Sequence, residues 1–428
     1  MTLRTLTLAL TTALALFLGH NMPTSTKKTS VEIYDPLAVS RINDLIENNG
    51  LIAEKNKPQT WEFAEWNNEN PKHIVKLKLP NKKIKGKVSF AGLTTLEELD
   101  CSRNREITEL DVSNCVNLQI LRCYRNKIIK LDITNCTELK ELDCSFNKLN
   151  ILDISKCTKL EILNCSINRE ITELDVSNCS NLEVLRCFHN KITKLALLNC
   201  AKLRVLDCLY NRLTHLDVSI CKELKLLSFW GNQISEINLT ENTVLGYLDC
   251  CNNKLTELDV SKCLSLEFIR CFRNEISKLD LTGNTALKSI EISFNKLSEL
   301  DVSKCTELSF LSCDSNKISV LDLTNCKKLD WLYCESNIHN KINFDNYKQW
   351  CDFEGNNQTI SIPLYKTETE SYSSIINLNN PFFSESKVSY NGNVITSSDN
   401  TVVSTDFTVQ TGNEGFELSG TITFTYNE

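Results

Sequence analysis

Leu139 to Lys159 reads LKELDCSFNKLNILDISKCTK, and from Leu160 the chain continues LEILNCSINREITELDVSNCSN. The second stretch repeats the first with its surface letters changed. The same sentence recurs about every 21 residues between Leu96 and Trp331, and nearly every copy holds two cysteines. Self-similarity at that period marks a solenoid, in which each coil covers its neighbour and together they bury a continuous core. A solenoid is mostly surface. Its constant positions report what is buried, and its variable positions report what is available for binding.

Numbered from its leading leucine, each coil has leucine or isoleucine at position 4, cysteine at 6 and asparagine at 9. An aliphatic follows near 11, with leucine at 14, aspartate at 15, an aliphatic at 16, serine or threonine at 17 and cysteine at 19. The coils starting at Leu96 and Leu160 carry one extra residue ahead of the second half. Apolar residues alternating at 4 and 6, then at 14 and 16, predict two short strands per coil. Asn104, Asn126, Asn147, Asn168, Asn190, Asn211, Asn232, Asn253, Asn274, Asn295, Asn316 and Asn337 fall where the chain turns. A buried asparagine ladder satisfies turn backbone groups from coil to coil, which explains a polar residue recurring inside.

The run Leu118-x-x-Leu121-x-Cys123-x-x-Asn126 resembles the leucine-rich repeat family in its LxxLxLxxN form, with cysteine in the second apolar place. In the second half-repeat, Leu131-x-Ile133-x-x-Cys136-x-x-Leu139, cysteine takes the asparagine place, a swap the family also uses. The short double unit is similar to secreted bacterial repeats of the internalin type, over residues 74–344. That resemblance implies an α/β-type repeat solenoid dominated by β, a helical cap before it and a small β-sandwich after it. It also implies a protein-binding role, in adhesion or host contact. The resemblance departs in the C-terminal stretch, which shows no sortase or cell-wall anchor motif.

Four segments are expected. Arg4 and the uncharged run Thr5 to Gly19 read as a signal peptide over residues 1–22, too short for the roughly 20 apolar residues of a membrane span. Residues 30–73 read as a cap, with Asp35-Pro36 starting a helix, Leu37, Ile42, Leu45 and Ile46 as its apolar stripe and Gly50 as its stop. The solenoid occupies 74–344. Residues 360–428 read as a β-rich, immunoglobulin-like domain, with strands near Val388 to Tyr390, Val394-Ile395, Val402-Val403, Phe407 to Val409 and Thr421 to Tyr426. Asn391-Gly392 signals a hairpin between the first two. The mature chain is expected to be secreted or at the cell surface.

The net charge of −7 is mixed along the chain, and no basic block points to nucleic acid. The 21 cysteines invite a disulfide or metal reading. Their intervals from Cys101 to Cys221 alternate between 8 and 13 or 14, which is the repeat divided at two fixed points. Phe229 or Ile292 replaces cysteine at position 6, and Asn242 or Asn284 at position 19, swaps that keep packing and break any bridge. No C-x-x-C pair supports zinc. The cysteines therefore read as buried thiols, although stacked columns lie within bridging range.

Asp111, Asp132, Asp153, Asp175, Asp217, Asp259, Asp280, Asp301 and Asp322 form a column. Stacked carboxylates repel, so each is expected to accept hydrogen bonds within its own turn. A cation ridge is the less favoured reading, since Ala196 and Asn238 interrupt the column. Five histidines without a nucleophile pattern give catalysis no support, and no cofactor is expected.

The repeats differ around the first strand. If 4 and 6 point inward, the odd positions point away. Position 3 carries Tyr247 and Phe268, and position 5 carries Arg122, Arg186 and Arg270. Positions 7 and 8 add Tyr124, Arg125, Phe146, Phe188, His189, Tyr210, Trp230, Phe272, Arg273 and Phe294. Aromatic residues with arginine make up binding hot spots, so this face is expected to hold a protein partner. A self-associating surface component and a glycan-binding module are the alternatives. Part of the aromatic set is also expected to pack along the sheet as cross-strand neighbours.

Overall fold

The computed structural model describes residues 32–334 and 337 with their side chains, and beyond them the backbone of strands between 341 and 427. The expected signal peptide lies outside the described residues, as does Cys351. Asp35 caps the helix Pro36–Asn48 by accepting the Leu37 N–H at 2.9 Å. Ala38, Ile42 and Leu45 are its buried face, whereas Leu37, expected in the stripe, is 40% exposed at the helix start. Gly50 adopts φ +84°, which turns the Leu51 N–H back onto the Leu45 carbonyl at 3.0 Å. Trp61 is buried beside Trp66, and the strand Ala64–Trp66 pairs antiparallel with Ile74–Lys78. This cap covers the edge of the first coil.

From Ile74–Lys78 onward, the first strand of each coil joins one parallel sheet of 15 strands, that antiparallel cap strand included. Register is one residue to one: Leu99, Leu121 and Leu142 line up across neighbouring coils. Each central residue is buried and its neighbours on the strand face outward, as in Ile120–Arg122. The extra residue of the two longer coils is absorbed at Arg105 and Arg169, which take φ +66° and +70°.

The second strand forms in only part of the stack. It is present in Lys85–Ser89, Glu106–Asp111 and Lys130–Asp132, in Glu173–Asp175 with Lys194–Ala196, and in Val320–Asp322 with Lys341–Asn343. Elsewhere a backbone bond such as Gln233 N–H to Leu213 O, 2.8 Å, links coil to coil at the start of this half. Side chains carry much of the remaining bonding there. Each position-9 asparagine donates from Nδ2 to the position-6 carbonyls of its own coil and of the coil before, as Asn211 does to Cys208 and Cys187 at 3.0 and 3.1 Å.

All twenty described cysteines are buried, and no disulfide joins them. Position-19 thiols donate to a carbonyl one coil back, Cys136 to Val112 at 3.2 Å and Cys200 to Val176 at 3.4 Å. Asn242 reaches the equivalent Val218 carbonyl at 3.1 Å and Asn284 the Val260 carbonyl at 3.1 Å. Cysteine and asparagine interchange here because both present a donor to the same acceptor.

Beyond the coils, Gln358–Lys366 lies parallel to Phe416–Asn427, which pairs antiparallel with Ser404–Thr411. Val388–Asn391 and Val394–Ser397 form the expected hairpin, with Asn391 opposite Val394. The strand expected at Val402-Val403, and the layering of these strands as a sandwich, lie outside the described residues.

Candidate partner-binding face

The alternation of the first strand carries positions 3 and 5 to the outer face of the sheet, and the turn after it carries positions 7 and 8. Tyr247, Arg122, Arg270, Tyr124, Phe188, Trp230 and Phe272 are half-buried on this face, and Arg186, Arg125, Phe146, His189, Tyr210, Phe268, Arg273 and Phe294 are exposed. All fifteen residues expected on the face lie on it. They are not equally free. Arg122 sits between Glu98 and Glu141 of the adjoining coils, at 3.1 and 2.8 Å, and Arg270 between Asp249 and Glu291, at 2.9 and 3.1 Å. Two of the three position-5 guanidiniums are therefore committed to cross-strand carboxylates.

Position 8 has a conformation of its own. Arg103, Arg125, Phe146, Ile167, His189, Tyr210, Asn252, Arg273, Phe294 and Ser315 all have φ between +50° and +58°. Gly231 is the one glycine of the column, at +70°. This left-handed turn lets the position-8 N–H donate to the next coil, as Arg125 does to Ser145 O at 3.0 Å and His189 to Leu209 O at 3.0 Å. It also throws the side chain outward. The conformation disfavours residues other than Gly, Asn and Asp, most of all β-branched Ile167. Coil stacking imposes it whatever the side chain, so the residue at this position is free to vary.

The rings stack in sequence. Phe188 meets His189 edge-on at 5.9 Å, His189 stacks on Tyr210 at 4.5 Å, Tyr210 leans on Trp230 at 5.0 Å, and Trp230 meets Phe272 at 6.0 Å. Burial first, then Arg169, holds the His189 pKa below the ordinary histidine value, so it joins the stack as a neutral ring at pH 7. Arginines lie over rings of the following coil: Arg125 over Phe146 at 5.0 Å and Arg273 over Phe294 at 5.3 Å. The run is continuous from Phe188 to Phe272 because Cys251, at position 7 of the intervening coil, is small and buried.

Gly231 makes the stack possible. A Cβ there would lie 2.8 Å from Tyr210 Cδ1. Gly231→Ala is expected to push Tyr210 off Trp230 and to lower stability by about 1–3 kcal/mol. Tryptophan fluorescence and the urea midpoint read this out, and no change in either would show that the Tyr210–Trp230 contact does not depend on a glycine at this position.

Sequence reasoning missed Arg103, which covers Tyr124 at 5.7 Å, and the buried polar residues Ser228 and Asp249 beneath the rings. The Cys250-Cys251 doublet was the available signal, since Cys251 alone among the described cysteines stands off both columns. The aspartate column takes the local reading. Each of the nine accepts the N–H of the residue two on, at 2.8–3.1 Å. Backbone and side-chain hydrogen bonds from Ser155 and Ser177 lower the carboxyl pKa values of Asp153 and Asp175.

No family model matches the chain, and no curated protein matches it either. Solved structures do. The functional domain of InlJ from Listeria monocytogenes, described as including a cysteine ladder, is 28% identical with a TM-score of 0.60, and the match covers 83% of this chain and 91% of that one. An internalin, InlF, from the same organism is 26% identical with a TM-score of 0.54, covering 63% and 82%. YopM, a leucine-rich effector protein from Yersinia pestis, shares the fold alone, at 21% identity and a TM-score of 0.51 over 66% and 83%. This chain is a leucine-rich repeat coil stack with a helical N-terminal cap, and its structural neighbours include internalins and other leucine-rich repeat proteins.

Proposed function

We propose that the chain is a secreted or surface-exposed interaction scaffold that holds a protein partner on its strand-and-turn face. The observation that supports this most is the ring run from Phe188 to Phe272, flanked by Arg–ring pairs on coils to either side. Large rigid rings supply contact area with little rotamer entropy to lose, and here neighbouring rings already hold them in place. Export is supported by the short apolar run Thr5 to Gly19. Among the described residues no helix is long and apolar enough to cross a membrane.

With the full chain as bait, the Trp230→Ala, Phe272→Ala double variant is expected to bind the captured partner at least about tenfold more weakly. Its unfolding midpoint should stay near that of the parent, since both rings lie outside the core. Unchanged affinity would move the site off this face.

A further inference from the structure

The extra residue of the coil that starts at Leu160 changes how that coil meets the next. In an ordinary coil the N–H of position 11 donates to the asparagine of the following coil, as Ile192 does to Asn211 Oδ1 at 3.0 Å. Here the N–H of Arg169, at position 10, takes that acceptor, reaching Asn190 Oδ1 at 3.0 Å. Arg169 and Glu170 are both exposed and bulge outward before Ile171 returns to the core.

Beside the bulge, between this coil and the one before, lies an open hollow of about 410 Å³. Phe146 and Ile167 form its apolar lining, and Phe146 is 40% exposed. The two ladder asparagines that reach the hollow are engaged with backbone: Asn147 Oδ1 accepts the Ile128 N–H and Asn168 Oδ1 the Leu149 N–H, both at 3.0 Å.

The charges around it are of one sign. Lys148 and Arg169 line the hollow, both are exposed, and among the described residues neither forms an ion pair. Glu170, the acid of the lining, is already held by Lys191 at 2.7 Å. Arg125 adds a further positive charge from over the Phe146 ring, at 5.0 Å. Uncompensated cations beside apolar surface attract a carboxylate and let a neighbouring apolar group leave water. The volume falls within the range of about 300–1,000 Å³ typical of ligand sites. The Ile167 N–H donates to Phe188 O at 2.8 Å, so the hollow borders the ring run that begins at Phe188.

We infer that this hollow receives an acidic side chain of the partner polypeptide together with the apolar side chain beside it. The inference rests on the face being the binding surface. The carboxylate lies between Lys148 and Arg169, and the apolar group covers Phe146 and Ile167.

The test uses the full chain and follows the isoleucine δ1-methyl resonances, with that of Ile167 identified by Ile167→Val. The probes are acetyl-Gly-Phe-Glu-Gly-amide, its counterparts with glutamine for glutamate or alanine for phenylalanine, and 3-phenylpropanoate. The first peptide is expected to shift the Ile167 resonance along a saturating curve, and each counterpart to bind at least about tenfold more weakly. Lys148→Gln with Arg169→Gln should weaken the first peptide by about tenfold. Lys148→Gln alone, should the double variant fail to fold, is expected to weaken it by about threefold. Arg105→Gln, at the bulge of the other long coil, should change nothing.

No saturating shift, equal binding of the glutamine counterpart, or full binding by the Lys148 and Arg169 variants overturns the proposal. Tighter binding of 3-phenylpropanoate than of the peptide assigns the hollow to small carboxylates and overturns it too. If the peptide fails while Trp230→Ala with Phe272→Ala still loses the partner, the hollow falls and the face stands.

Discussion

Raising the pH from about 7.5 to about 9.5 is expected to unfold the solenoid, well before lysine titrates at about 10.4. The cause is the pair of cysteine columns. Burial raises the thiol pKa wherever a shift is resolved, to about 11 for Cys115 and Cys179 and to about 12 for Cys136, Cys157 and Cys200. Deeper members such as Cys123, Cys144 and Cys187 are pushed up further, by desolvation first and then by neighbouring thiols of the column or nearby aspartates. In the unfolded chain each thiol ionises near 8.5.

The group is an acid with a raised folded pKa, so its stabilising share is intact below the unfolded value and is lost as the pH climbs above it. At about pH 9.5 each protonated buried thiol weighs against the folded state by about 1.4 kcal/mol. Even ten of them together amount to about 14 kcal/mol, the size of a typical domain's whole stability. Tryptophan fluorescence and thiolate absorbance, followed with reductant present, should change together. Thiolates appearing ahead of unfolding, or a fold that survives to about pH 10.5, would show that the columns are hydrated.

The fold was legible because the period names its own core. Leu121, Cys123 and Asn126 recur in phase, and any arrangement other than stacked coils would expose one of them. The roles of cysteine and asparagine at position 19 were half legible. That the swap preserves the interior followed from Asn242 and Asn284, but the shared carbonyl acceptor needed three dimensions. The second strand was over-read. Alternation at positions 14 and 16 marks which side chains are buried, and it does not fix the coil-to-coil distance on which a ladder depends.

On the face, the aromatic and arginine positions could be listed from their variability, yet the sequence could not say which were already spent. Arg122 is neutralised by Glu98 and Glu141, which sit about one coil away on each side and share no local pattern with it. The left-handed column was hidden for a related reason. Phe146, Ile167 and Tyr210 carry none of the glycine or asparagine signal that marks such a turn, because stacking rather than local preference imposes it.

Asn211→Ala is expected to lower stability by about 3–5 kcal/mol, more than most single core truncations in this chain. The side chain is 7% exposed and joins its own coil to the one before. Its Nδ2 donates to Cys187 O and Cys208 O, and its Oδ1 accepts the Ile192 N–H at 3.0 Å. Alanine removes all of these at once and leaves buried backbone groups that water cannot reach, each worth about 1–3 kcal/mol when orphaned. Asn211→Asp should be worse still, since it keeps the acceptor but turns a carboxylate toward two carbonyls. In a solenoid each coil touches only its neighbours, so the lesion should stay local. Hydrogen exchange is expected to accelerate by about a hundredfold or more at Ile192 and across residues 182–231, and to stay at parental rates near Glu98–Asp100. A uniform acceleration along the chain would mean that the coils unfold as one unit, and stability within about 1 kcal/mol of the parent would mean that the asparagine ladder is not what joins them.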